Sequence, residues 1–163
     1  IYNNKTQHPS ILVKDSKGNI LEQGTDDKVS WAKGMKKAGI YNVKIIFTGR
    51  YNGTTEQTYK ICPKGTNISN VKISKKWVVL EWKKQGKQTS GYQIQYSLNK
   101  KFTKKTVKKI IVKNNKTVSM SVKSGKTDKK YYIRIRTYKN VKTGGKTVKV
   151  FSGWSKIKTV KTK

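Results

Sequence analysis

Apolar and polar residues alternate along most of this chain, and nowhere do apolar residues recur at the spacing of an amphipathic helix. In "IYNVKIIFTG" (40–49) the alternation puts Tyr41, Val43, Ile45 and Phe47 on one face, with Asn42, Lys44 and Ile46 on the other. "TTEQTYKI" (54–61) repeats the pattern through Tyr59 and Ile61. "KDSKGN" (14–19) reads as a hairpin turn between "SILV" and "ILEQ", and "AKGMKKAG" (32–39) as a loop punctuated by glycine. Further on come "NVKIS", "WVVLEWKK" (77–84), "GYQIQYS" (91–97), "KTVKKIIV" (105–112), "KTVSMSV" (116–122), "KYYIRIRTY" (130–138) and "FSGWSKIKTV" (151–160). "KNVKTGGKT" (139–147) supplies a hairpin with Gly144 and Gly145 at its tip. Seven strands in about 100 residues is the size of an immunoglobulin-type sandwich.

The expectation is an all-β chain of two tandem immunoglobulin-like antiparallel β-sandwiches: 1–62, a linker at 63–66, and 67–163. "CPKGTN" (62–67) marks the boundary, because a strand ends, Pro63 stiffens the chain and a new strand starts almost at once. So short a linker implies restricted motion. "IYNNKTQHP" opens polar and mid-pattern, so the chain reads as an excised fragment with its first strand cut.

Composition sharpens this. Sixteen aromatic residues in 163 provide for packed cores despite a hydrophobic content of 33%. No apolar run approaches the ~18 residues of a membrane-spanning helix, so no membrane insertion is expected. Cys62 is the only cysteine and reads as a half-buried inert thiol. His8 is the only histidine and has no second metal ligand at usable spacing. The seven carboxylates include one adjacent pair, Asp26–Asp27, and neighbours on a strand face opposite ways. With no phosphate loop, no Ser-His-Asp set and no Cys/His metal spacing, neither an enzyme nor a cofactor is expected.

Charge separates the two halves. Residues 1–63 hold 10 Lys and Arg against 5 Asp and Glu, while residues 64–163 hold 29 against 2. All but three of the basic residues are lysine, a hydrated point charge suited to non-specific attraction. Arginine, the residue that reads guanine edges, occurs only at Arg50, Arg134 and Arg136. Any single lysine reads as a solvated, aggregation-blocking surface charge. Together they must attract polyanions at low salt, such as wall teichoic acid, sulfated glycan or, non-specifically, nucleic acid. "NKKFTKKTVKK" (99–109), with Lys100, Lys101, Lys104, Lys105, Lys108 and Lys109, is the candidate contact. Trp31 and Trp77, out of phase with the inward positions, are candidate ligand contacts or domain-packing residues.

The second half resembles a fibronectin type III domain, through Trp82 in "LEWKK", Tyr92, Ile94 and Tyr96 in "GYQIQYS", "YYIRIRTY" and "SGWSK". The resemblance implies Trp82 as the core aromatic and Tyr131 as a corner tyrosine whose hydroxyl bonds backbone upstream. Gly125 stands where the family usually has leucine. Tyr131, Ile133 and Ile135 share the inward parity, and Tyr132, Arg134, Arg136 and Tyr138 the outward one. Trp154 is placed to insert between Arg134 and Arg136, similar to the Trp–Arg ladder of receptor-type fibronectin domains. A self-satisfied ladder and a base-stacking surface both fit these residues.

The first half resembles an immunoglobulin-like repeat of Gram-positive surface proteins, through "GTDDKVSW" (24–31), "AGIYNVKIIFTGRYNGT" (38–54) and "QTYKI" (57–61). Together the resemblances imply a non-catalytic, secreted or cell-surface segment. It would act as an adhesin, a stalk, or a module binding a host protein or glycoprotein, immunoglobulin included. The alternatives are an electrostatic polyanion anchor and accessory domains of a larger secreted hydrolase.

Overall fold

In the computed structural model, which describes residues 1–74, 77–123 and 128–162, every regular element is a β-strand. The fold is all-β, with antiparallel strand pairing in every sheet, in the manner of immunoglobulin-like β-sandwiches. The chain divides into two compact units, Tyr2–Ile61 and Cys62–Lys163.

The first unit is built on the sheet β1 (Asp27–Trp31), β2 (Gly39–Phe47) and β3 (Thr54–Ile61), in that order. Val43 and Ile45, on the parity that alternation assigns to the core, are buried. Trp31 pairs with Val43 and Tyr59 with Tyr41, so all four stand on the same face. Tyr2, Met35, Ala38 and Ile61 complete the packing there. The glycine-punctuated segment 32–39 is therefore no loose loop. Met35 is 1% exposed, and the Tyr41 hydroxyl lies 2.8 Å from the Lys37 carbonyl.

The 14–19 turn forms as expected. The Asp15 carboxylate accepts from the backbone N–H of Lys17 and Asn19 and from the Asn19 amide, and Gly18 takes φ +88°. Those bonds hold the carboxyl below the usual carboxylate range, the Asn19 side-chain bond contributing most. The flanking "SILV" and "ILEQ" do not extend into strands. They pair only at a Lys14–Ile20 bridge and through Leu21 N–H to the Val13 carbonyl. Leu12 and Ile20 stay largely exposed, so burial does not reward a longer ladder there.

The second unit is a two-sheet sandwich. One sheet runs β4 (Ile68–Ile73), β5 (Trp77–Trp82), β8 (Ser119–Lys123). The other runs β10 (Lys146–Phe151), β9 (Lys130–Thr143), β6 (Gly91–Ser97), β7 (Val107–Val112), with β11 (Lys158–Lys161) also on β9. Residues 63–66 are tied into this unit, since Thr137 Oγ1 donates to the Lys64 carbonyl and Thr66 Oγ1 to that of Lys83. The core joins Leu80 and Trp82 to Tyr92, Ile94, Tyr131, Ile133 and Ile135. Trp82 meets Tyr92 edge-on at 5.4 Å.

One expectation lies outside the described residues and another changes. Tyr131 is buried against Tyr96, and the upstream segment 124–127 that its hydroxyl is expected to bond lies outside the described residues; a different hydroxyl, that of Tyr92, ties another loop to the sandwich. It accepts from Gln85 N–H and donates to the Asn115 carbonyl, each at 2.9 Å. Among the described residues the Tyr131 hydroxyl shows no such bond, and Gly125 lies outside them. "FSGWSKIKTV" is not one strand, because β10 ends at Phe151 and β11 begins at Lys158. The hairpin before it closes with Gly144 at φ +54° and Gly145 at φ +72°, the two left-handed positions a two-residue turn requires.

Tyr138 departs from its outward reading in another way. It keeps the outward parity yet is 1% exposed, because it lies across Gly91, its partner on β6. A Cβ on Gly91 would sit 2.0 Å from the Val112 carbonyl oxygen and 2.8 Å from the Tyr138 hydroxyl. Gly91→Ala is therefore expected to lower stability by about 1–3 kcal/mol through overpacking. Gly86→Ala, with nothing within 4 Å, should stay within about 0.5 kcal/mol of the parent. Urea unfolding of the two variants checks this, and equal midpoints would rule out the close approach.

Candidate functional site: a stack of rings and guanidiniums

β9 is the longest strand, and along one side it is paired at its two ends only. β11 covers Lys130–Ile133 and β10 covers Tyr138–Thr143. Between them the backbone groups of Ile135 and Thr137, which point away from β6, need other partners. The two serines of "SGWS" supply them. Ser152 accepts the Thr137 N–H on its hydroxyl and donates its own N–H to the Thr137 carbonyl. Ser155 makes the same pair of bonds with Ile135. Held two residues apart on β9, the serines fix the segment between them and set Trp154 over the sheet.

Trp154 inserts between two arginines. The Arg134 guanidinium carbon lies 4.4 Å from its ring centroid and that of Arg136 lies 4.2 Å away. Phe102 closes the far face of Arg134 at 4.0 Å, and Phe151 that of Arg136 at 3.8 Å. Beneath, Gln95 Oε1 accepts from Nε and Nη2 of Arg134, and Gln93 Oε1 accepts from Nε of Arg136. The result is a continuous column, ring–cation–ring–cation–ring, on the outer face of the five-stranded sheet.

With the indole between them the two guanidinium carbons are at most 8.6 Å apart, a repulsion of about 0.5 kcal/mol in water and about 2 at an effective dielectric of 20. Four cation–π contacts of about 0.5–1 kcal/mol each offset it. Burial lowers the pKa of Arg134, and burial followed by the Arg134 charge lowers that of Arg136. Both remain charged at any physiological pH.

Carboxylates lie elsewhere. Glu81 meets Lys72 at 3.4 Å, and its pKa is lowered first by the Asn70 amide and then by Lys72. Asp128 meets Lys161 at 2.8 Å, which lowers the Asp128 pKa and raises that of Lys161. Asp26 accepts the Glu22 N–H, and Glu56 accepts from Asn42 across the sheet. Among the described residues no group of three or more His, Cys, Asp or Glu could hold a metal ion, and no helix is long and apolar enough to cross a membrane.

The other candidate residues are scattered. Trp31, expected out of phase with the inward positions, lies instead on the core face opposite Val43, packed against the core of its unit, and stacks on His8 at 4.7 Å. Trp77 opens β5 opposite Lys123 and is 46% exposed. The 99–109 lysines do not form one contact. Lys100, Lys101, Lys104 and Lys105 stand in the β6–β7 loop, Lys108 lies over the Tyr96 ring at 6.0 Å, and Lys109 pairs with Gln95 on the opposite face of the sheet.

The sequence reading missed Phe102, Phe151, Gln93 and Gln95. The glutamines alternate with Tyr92, Ile94 and Tyr96, which marks them as outward; their register against the arginines did not follow from the sequence. Phe102 had no signal, since it reaches the column from a loop at φ +51°.

No family model matches this chain, and no curated protein does. Among solved structures, the FN1-FN3 domains of chicken CNTN1 are similar to it at 18% identity, with a TM-score of 0.48. The match covers 77% of this chain and 42% of that one, so it spans under half the length of that structure.

Trp154→Ala removes both inner cation–π contacts and the apolar contact around them, and should cost about 2–3 kcal/mol. A double-mutant cycle with Arg136→Gln should show coupling of about 0.5–1.5 kcal/mol. Strictly additive losses would mean the ring and the guanidinium do not act together.

Proposed function

We propose that this chain is a non-catalytic segment of a secreted or cell-surface protein of a Gram-positive bacterium. In that role it works as an adhesin, a module binding a host protein or glycoprotein, or a stalk. The observation that carries this reading is how its reactive and aromatic groups are used. Trp82 and Tyr92 build the core, Trp154 and both ladder arginines hold the sheet face, and five of the carboxylates bind neighbouring protein groups. The charge that faces solvent is overwhelmingly lysine. Such a surface presents charge on a rigid frame and carries no acid–base pair for chemistry. The resemblance of residues 24–61 to Gram-positive surface repeats supplies the compartment.

A second reading, electrostatic attachment to a polyanion, is favoured by one specific observation. Not one Asp or Glu stands on the five strands β6, β7, β9, β10 and β11.

Antibodies raised against the segment should label intact cells of the producing organism, and brief protease treatment of those cells should release its peptides. Recovery of the chain solely from the cytosol would refute the surface assignment. Capture of a host protein that persists at physiological salt would favour the first reading. Binding that collapses between 50 and 200 mM salt, whatever the partner, would favour the second.

A further inference from the structure

We propose that the outer face of the five-stranded sheet binds an unbranched phosphodiester polymer with three carbons between phosphates, laid along β9. This rests on the polyanion reading and moves the contact from the β6–β7 loop to the face that carries the column. The ring stack closes both planes of each guanidinium, and Gln95 and Gln93 close the inner edge. Most N–H donors on the outer edges have no protein partner among the described residues. A guanidinium edge is a two-pronged donor matched to phosphate oxygens, and here it is already immobilised.

Lysines extend the track in both directions. Lys130 lies over the Tyr132 ring at 5.8 Å and Lys149 over the Tyr138 ring at 5.5 Å, which puts both on this face, and Lys109 joins it through its pairing with Gln95. No carboxylate stands on these strands, and among the described residues Asp128, bonded to Lys161 at 2.8 Å, is the only one ion-paired to them.

Backbone repeat and the covered rings together select the polymer. One three-carbon polyol-phosphate repeat contains as many main-chain bonds as two residues of strand and advances about 6.5–7 Å when extended. The guanidinium carbons, at most 8.6 Å apart across the indole, can therefore meet consecutive phosphates through their outer edges. Single-stranded nucleic acid has the same three-carbon repeat between phosphates but gains much of its affinity by stacking bases on bare aromatic faces. Both faces of Trp154 are already covered.

The test uses the full 163-residue chain, with a synthetic polyglycerol phosphate of defined length and an oligo-dT of equal phosphate number as probes. Binding to the polyol polymer at 50 mM salt is expected to weaken about tenfold or more in Lys109→Gln/Lys130→Gln/Lys149→Gln. The slope of log K against log salt should fall by about two. The loop variant Lys100→Gln/Lys101→Gln/Lys104→Gln/Lys105→Gln removes more charge yet should lose less than threefold. All these lysines are exposed, so both variants should fold. Arg136→Lys keeps the charge and loses the fork, and should weaken binding several-fold.

Equal or greater loss in the loop variant overturns the face assignment while leaving the polyanion reading standing. Oligo-dT binding as tightly as the polyol polymer overturns the choice of ligand. No binding of either probe at low salt overturns the polyanion reading with it.

Discussion

One indole ring held between two guanidiniums organises the second unit. The reason lies in the backbone of β9. A strand of fourteen residues whose neighbours on one side stop short leaves N–H and C=O groups that must find partners or be hydrated. Ser152 and Ser155 answer that requirement with backbone and hydroxyl together, and a chain so pinned has one direction in which to send the side chain between them. Trp154 then covers Arg134 and Arg136, and the arginines in turn cover Gln93 and Gln95. Both glutamines are more than nine-tenths buried on what is nominally the solvent face. The unit thus has a second, polar–aromatic layer outside its hydrophobic core, and β10 through Phe151 and the β6–β7 loop through Phe102 converge on it.

The same layer accounts for how so basic a unit tolerates its charge. A net +32 over the whole chain opposes compaction through self-repulsion, most strongly where cations are brought close. Where Arg134 and Arg136 share one face of a strand, the structure places neutral partners: ring faces above and below, amide oxygens at the edge. Elsewhere the lysines extend into water on flexible stems, where screening over about 8–10 Å weakens their mutual repulsion. Carboxylates are few and act locally, in a turn, across a strand pair or at a sheet edge. The surface therefore keeps its sign over a wide area.

The period-two alternation was sufficient to read the strands, because facing a core on one side and water on the other imposes that period on any sandwich strand. Val43, Ile45, Leu80, Ile94, Ile133 and Ile135 all lie where parity puts them. Glycine signals were legible for the same local reason: Gly18, Gly144 and Gly145 occupy backbone conformations that few other residues adopt. Where local pattern and burial disagree, burial decides. "SILV" had strand composition but too little to bury, whereas Met35 turned a nominal loop into part of the core.

The sequence alone determined the fold class, the inward faces of β2, β5 and β9 and the presence of two arginines and a tryptophan at compatible spacings, since these depend on neighbours a few residues apart. Only the tertiary structure decided which glutamines lie beneath the arginines, that Phe102 and Phe151 cap the column, that Tyr92 ties down the loop at Gln85 and Asn115, and that Tyr138 is buried over Gly91. Each is a pairing across a register or loop closure of tens of residues. Such contacts are set by how whole strands align, and no short stretch of chain contains that information.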